Sequence, residues 1–495
     1  MHVSVPASLV RRLLGIEAVR RHALLSLLTS TGITAVGYLS TVYIAHVAGA
    51  GVLGAYYLFL AYYSIAALVS DGGFGSAAVR KMCRDGQEGA FFTAQAVARL
   101  FLTGLSIAGI ILLAAPFMHD ARSAGLLPWL VAALAIGSVS GILASGIYGH
   151  GSVGILQAGE FISTVIRVTV QILAVGTGFA VAGMAGGFIA GLLAAVAINA
   201  RFFRIRPAAF GLRHFRQLLP DAAWGFSSSL AAVLALYADT VIVGYFLDPT
   251  GVGYYRTPLQ LATLSLFVAT SLSISLFPRV SSWHGQGDTA AIRHALERAL
   301  SYSLVLAVPV VCGGLVLGER LLYFLYGSPF IVATHAFTLL LLAQVGAVIF
   351  VLDSMALSAV GKFKVVFLIN ALSCASLVLL EIIMVPSLGI TGAAAAVLIV
   401  SIFKACLSRL ALFRFTGARA EIATIGHIAV AGLLMGGFVF ILRWLFFPTH
   451  VAVLAGIVLS GALFYFVILF RLERDLRKEI AELAEHLGVA GIPFP

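Results

Sequence analysis

Long apolar runs recur along the chain, separated by short polar interruptions, and most reach the roughly 20 residues that span a hydrocarbon core. Fourteen membrane helices are predicted, at residues 23–48, 54–78, 91–115, 125–148, 153–178, 180–201, 221–247, 258–279, 300–318, 335–361, 363–386, 388–409, 422–445 and 448–471. Spans 5 and 6 are separated only by Gly176-Thr177-Gly178, the place where a merged helix is most expected. Beyond the last span, Leu472, Leu476, Ile480, Leu483 and Leu487 recur at helical spacing among charges, which predicts an amphipathic helix.

The pattern of residues 29–80 appears again, in register and without a gap, over residues 228–279. A shift of 199 positions puts Ser30 on Ser229, Tyr38 on Tyr237, Thr41 on Thr240, Gly54 on Gly253, Tyr56 on Tyr255 and Arg80 on Arg279. Later matches are looser, with Gly149 before span 5 resembling Gly361 before span 11. Six spans per copy is an even number, so both copies share one orientation and are related by an axis along the membrane normal. The expected organisation is a cytoplasmic segment (1–22), a first lobe (23–201), a basic linker (202–220), a second lobe (221–409), two extra spans (422–471) and a cytoplasmic tail (472–495).

Composition agrees: 61% of the 495 residues are hydrophobic and 10% charged, where a soluble domain has about a quarter charged. The fold class is therefore an all-α polytopic membrane protein. Its 31 Lys and Arg against 20 Asp and Glu do not point to nucleic acid. With the N-terminus inside, 25 of the 31 fall in cytoplasmic segments, including five in residues 201–216 and four from Lys404 to Arg419. That asymmetry is the positive-inside rule and predicts both termini in the cytoplasm. No removable signal peptide is expected. The four cysteines lack paired spacing, so neither a disulfide framework nor a zinc site is suggested.

Span 5 carries the clearest polar constellation. Gln157, Glu160, Thr164, Arg167 and Gln171 follow spacings of 3, 4, 3 and 4 and share one helix face. Such a face cannot meet lipid, because an arginine at a helix centre costs roughly 2.5–3.5 kcal/mol even on insertion scales. Either it locks helices together or it binds an anion on a translocation path, with Glu160 partly neutralising Arg167. Arg99, in span 3, either snorkels to the inner surface or joins the same cavity. Spans 1 and 7 add matched hydroxyl stripes, Ser30, Tyr38 and Thr41 against Ser229 and Tyr237, which suit helix packing or cavity lining. Asp71, Asp239 and Asp353 are membrane carboxylates, which bind a proton or cation or pair with an arginine; they are the candidates for ion coupling. At Asp239, near the outer surface, hydration competes with both.

Absences narrow the chemistry. There is no phosphate loop, H-E-x-x-H, paired Cys-x-x-Cys or G-x-S-x-G, so no catalytic residue, metal site or cofactor is expected and an enzyme is not.

The run LSTVYIAHVAGAGVLGAYYLF (39–59), the run ADTVIVGYFLDPTGVGYY (238–255), Leu276-Phe277-Pro278, Leu325-Tyr326-Gly327 and the run VPSLGITGAA (385–394) resemble the polysaccharide-exporter family of the multidrug/oligosaccharidyl-lipid/polysaccharide superfamily, the O-antigen-type lipid-linked oligosaccharide flippases. The resemblance implies two six-helix lobes facing each other as a V, two further helices, and alternating access. It also implies a cationic cavity receiving a polyprenyl-phosphate- or pyrophosphate-linked glycan in the cytoplasmic membrane of a prokaryote. Membrane lipids, and functional association with glycosyltransferases or a polymerase, are the implied partners. The related peptidoglycan-precursor flippases carry arginines in span 1, and this chain has none there. A cation-coupled multidrug exporter of the same superfamily is the alternative, though its cavity would be acidic and aromatic; a membrane-embedded glycosyltransferase or polymerase is a further one.

Overall fold

The computed structural model describes residues 18–82, 87–117, 125–149, 151–417 and 422–473, with side chains described there except at 18–31, 113–117, 153 and 422–423. Every regular element among the described residues is helical. Outside closed barrels the bilayer leaves no other choice, since only a helix pairs its backbone N–H and C=O groups within one segment. In chain order these are α1 (Ala18–Asp71), α2 (Phe74–Met82), α3 (Glu88–Phe117), α4 (Leu127–Gly149), α5 (Val153–Gly176), α6 (Ala180–Phe202), α7 (Leu212–Phe246), α8 (Pro249–Ala262), α9 (Phe267–Gln286), α10 (Thr289–Tyr326), α11 (Thr334–Ala359), α12 (Phe363–Thr416), α13 (Ile422–Phe446) and α14 (Val451–Leu472). A 3-10 turn, Thr263–Leu266, joins α8 to α9 within one span.

Twelve described helical stretches are long and apolar enough to cross a membrane. Two of them, α1 and α12, run for 54 residues, about 80 Å if straight, against a hydrocarbon core of about 30 Å. Each must turn back, and each contains one residue outside helical geometry: Gly49 at φ 75°, ψ −178° and Gly389 at φ 59°, ψ −139°. Both conformations are open to glycine and strained for other residues. Divided at these glycines, the stretches give the fourteen predicted spans. The fusions thus fall between spans 1 and 2 and between spans 11 and 12. At the predicted weak point α5 and α6 remain separate, with Gly178 at φ 93° between them. The amphipathic helix expected after residue 472 lies outside the described residues from 474 on.

The backbone also corrects the looser repeat. Gly151 (φ 74°) and Gly361 (φ 76°) each stand two residues before their helix in left-handed geometry, whereas Gly149 ends α4. The matched glycine before span 5 is therefore Gly151.

Chain contacts divide the molecule into two compact units, Met1–Gly253 and Tyr254–Pro495. In the first, α1 packs with α3 to α7, so the first helix of the second repeat copy lies against the first copy. Glycines permit this approach. A Cβ on Gly54 would collide with the Pro249 carbonyl oxygen and lie 2.6 Å from the Gly253 nitrogen, and one on Gly253 would collide with the Ala50 carbonyl oxygen. The two glycines matched by the 199-residue shift thus meet each other. At the opposite end α2 crosses α7: Gly73 leaves no room for a Cβ beside Ala222, and Arg80 donates to the Asp221 carbonyl oxygen at 3.2 Å.

In the second unit one apolar core joins α9, α10, α11, α13 and α14 around Leu304, Leu317, Val348, Met435 and Tyr465. Spans 13 and 14, which lie outside the repeat, are therefore part of this unit. Arg443 of α13 fixes them to α10, donating to the Val316 carbonyl oxygen and pairing with Glu319 at 3.0 Å.

Candidate functional site

The polar face of α5 is set by its contact with α6. Gly183, Gly187 and Gly191 recur every fourth residue of α6, the small-residue spacing that lets membrane helices approach closely. A Cβ on Gly187 would strike Gln171, and one on Gly191 would lie 2.9 Å from Cβ of Arg167. This close backbone contact fixes the stems of Arg167 and Gln171. Gln171, buried, donates to the Met184 carbonyl oxygen at 2.9 Å.

Tyr56, from the second half of α1, completes the cluster. Its hydroxyl lies beside the Gln171 side chain and in the electrostatic reach of Arg167 and Tyr237. Three elements of the first unit, α1, α5 and α6, thus converge on Arg167, with Tyr237 of α7 in reach of Tyr56. The half-buried Arg167 forms no ion pair with any other described residue. Glu160 is exposed and makes none either, so the neutralising pair expected from sequence is not formed. Gln157 is half-buried and Thr164 buried on the same face.

The hydroxyl stripes divide. Tyr237 joins the Tyr56 cluster, while Thr41 bonds back to the Gly37 carbonyl oxygen at 3.0 Å, as a packing hydroxyl does. Tyr38 is half-buried and Ser229 exposed; the Ser30 side chain lies outside the described residues.

Arg99 and Asp71 are brought together. The Arg99 guanidinium hydrogen-bonds the Asp71 carboxylate, tying α3 to the end of α1, with the guanidinium so close to Gly141 of α4 that a Cβ there would collide. Its side chain is 13% exposed. It therefore neither snorkels nor stands beside Arg167 as a second unpaired cation. Asp239 is buried, with the Thr240 N–H donating to it at 2.6 Å; burial settles the expected competition with hydration against water. Asp353, 1% exposed, pairs with Arg409 at 3.0 Å and accepts from Ser408 at 3.0 Å.

Four residues escaped the sequence reading. Tyr56 was visible as a repeated Gly-x-Tyr pattern, yet nothing in the pattern separates its role from packing. Glu381, with no exposure, lies inside α12, and a carboxylate in an apolar run was signal enough to single it out. Lys404, counted with the cytoplasmic charges, lies toward the end of α12 with its ammonium 3.9 Å from the Phe350 ring centroid. Arg409, counted likewise, is the partner of Asp353. Among the described residues no group of His, Cys, Asp and Glu has the arrangement of a metal site.

Fourteen spans in two units, with a cation fixed on a polar helix face at membrane depth, describe a polytopic membrane transporter. Among solved structures the chain superposes on the lipid II flippase MurJ, inward closed conformation, with TM-score 0.78 and 17% identity, covering 92% of this chain and 99% of that one; at this identity the match establishes a shared fold. The chain belongs to the polysaccharide biosynthesis protein family, whose sequence profile matches residues 51–335. It is 22% identical over 452 residues to the probable low-salt glycan biosynthesis flippase Agl15 of Haloferax volcanii, covering 90% of this chain and 93% of the relative. It is 25% identical over 474 residues to the probable flippase AglR of the same organism, covering 92% and 96%.

Proposed function

We propose that the protein is a flippase that turns a polyprenyl-phosphate- or pyrophosphate-linked oligosaccharide across the cytoplasmic membrane by alternating access, for assembly of a surface glycan. The observation that carries this reading is Arg167. A guanidinium at membrane depth, held by a glycine-lined helix contact and given no carboxylate by its surroundings, awaits a mobile anion; the phosphate of a lipid carrier is one. Amide and hydroxyl groups beside it, Gln171, Tyr56 and Tyr237, suit a sugar-bearing head, and the polyprenyl chain remains in lipid. The relative named as a glycan biosynthesis flippase matches over nearly its full length, which supports the substrate class. Both termini lie in the cytoplasm on this reading, because the basic connections then face inward. Glycosyltransferases or a polymerase supply and consume the glycan.

Coupling to an ion gradient falls to Asp71, Asp239 or Asp353. Each is hydrogen-bonded in this state, so binding a cation requires release from its present partner.

The test is flipping by the full chain in vesicles, read as exposure of a lipid-linked glycan to an impermeant lectin. Arg167→Ala lowers the rate at least tenfold while the protein stays monodisperse, and Arg167→Lys retains part of it. Unchanged flipping by a well-folded Arg167→Ala protein would overturn the assignment.

A further inference from the structure

Arg167 does not account for the basic linker between α6 and α7. Five arginines, Arg204 and Arg206 in the linker, Arg201 at the end of α6 and Arg213 and Arg216 at the start of α7, are exposed, and no side chain among them makes an ion pair or hydrogen bond with another described residue. Topology alone would leave such charges on a featureless surface. Instead, Arg204 and Arg206 line a cavity of about 600 Å³ together with Gln87, Glu88, Ala209 and His214.

The cavity walls are built rather than fluid. His214 is held at both ring nitrogens: the Gly211 N–H donates to Nδ1 at 3.1 Å, and Nε2 donates to Oε1 of Gln87 at 3.0 Å, which puts the ring proton on Nε2. The ring also meets Phe91 edge-on at 5.3 Å. The linker backbone is pinned to α3 by the Ala208 N–H, which donates to Thr93 Oγ1 at 3.2 Å. A Cβ on Gly89 would strike the Arg206 carbonyl oxygen, so the linker closes on α3 without a gap. Glu88 is the single carboxylate in the lining, and it already has a partner, which is neither Arg204 nor Arg206. Among the described residues, then, the two arginines of the lining have no compensating carboxylate.

We propose that this cavity binds the phosphate of a lipid headgroup in the cytoplasmic leaflet. Its size lies within the range of small-molecule sites, about 300–1,000 Å³, enough for a glycerophosphate or sugar-phosphate head. A guanidinium presents a planar fork of donors that matches phosphate oxygens. Basic recesses at the cytoplasmic ends of membrane helices bind such headgroups. The inference rests on the sidedness proposed above, but not on Arg167 or on transport. A bound headgroup would tie the linker, and hence the start of α7, to the membrane surface.

The shared chemistry has two sources, bulk anionic phospholipid and the polyprenyl phosphate carrier. Purified full-length protein in neutral vesicles is exposed to phosphatidylglycerol bearing a photoreactive headgroup, and adducts are mapped by mass spectrometry. Adducts should concentrate at residues 87–90 and 204–214. They should fall at least fivefold in Arg204→Gln/Arg206→Gln and in Ala209→Glu, which keeps both arginines, and stay within twofold in Arg213→Gln/Arg216→Gln. Excess unlabelled polyprenyl phosphate that displaces the probe identifies the carrier as the occupant; failure to displace it identifies bulk lipid. Equal losses in all three variants, no loss in the first two, or equal labelling by a phosphatidylcholine probe would overturn the proposal. Flipping dependent on Arg167 alongside such a result would leave the transport reading intact.

Discussion

At the scale of single residues, the charges in the membrane fall into two kinds. Asp71 with Arg99 and Asp353 with Arg409 are paired, and Arg167 is not. A partly buried pair is costly to break from one side, because the remaining charge is left without compensation, typically about 3–5 kcal/mol. Asp71→Asn is therefore expected to destabilise the first unit by a few kcal/mol, visible as a lower unfolding midpoint in detergent. Asp71→Asn/Arg99→Gln, with the lone charge removed, should recover most of that loss. The same double variant separates two roles. Recovered stability with normal flipping makes the pair a lock between α1 and α3, whereas recovered stability with flipping still absent gives Asp71 a part in coupling. Arg167 behaves differently because its removal leaves no orphaned partner, so Arg167→Ala should keep the fold and lose the function.

At the scale of helices, the number of spans was legible in the sequence because membrane insertion demands only length and apolarity, and both are read directly. The repeat was legible for a related reason: Gly54 and Gly253 are matched in sequence and turn out to touch, since each must admit the other's backbone. The positions of the breaks were legible to within a few residues, but not that the helix runs on through them. Among 51 glycines nothing local marks Gly49 or Gly389 as the residues that leave the helix, and the separation of α5 from α6 at Gly178 looked no stronger. The candidate site was half legible. Period alone placed Gln157, Glu160, Thr164, Arg167 and Gln171 on one face, but the partners that decide their roles, Tyr56 on α1 and the glycines of α6, are distant in sequence. Lys404 shows the limit of charge counting, since the count does not reveal a cation stacked on an aromatic ring. Helix geometry yields its own prediction. Gly389→Ala places a side chain at φ 59°, ψ −139°, a backbone region essentially reserved for glycine that costs roughly 1–3 kcal/mol, so the unfolding midpoint should fall. Gly361→Ala, also at positive φ with open space around it, should cost a similar amount; a much larger loss at Gly389 would show that the turn between spans 11 and 12 has further constraints.

At the scale of the whole molecule, the two extra spans raise the question of what keeps them in place. Lipid is as apolar as leucine, so burial of hydrocarbon supplies no net drive between membrane helices; close packing and polar contacts do. Both are present where α13 meets α10. Gly432 approaches Val308 too closely for a Cβ, and Arg443 engages Glu319 and the Val316 carbonyl oxygen. If these contacts make α13 a fixed part of the second unit, it should travel with α10 through a transport cycle. A cross-link reads this directly. A Cβ at Gly436 would lie 3.9 Å from Cβ of Cys312, close to the mean separation of about 3.8 Å in disulfides. Gly436→Cys should therefore form a disulfide with the native Cys312 under mild oxidation, detected by loss of thiol labelling, while Gly437→Cys, one position around the helix with nothing within 4 Å, should not. Flipping by the oxidised Gly436→Cys protein within about twofold of its reduced form, consistent with contacts that do not exchange between conformations, would place α13 and α10 in one rigid body. Loss of flipping on oxidation, restored by reductant, would instead make the α10–α13 contact one that must open, and the extra spans would then belong to the moving parts.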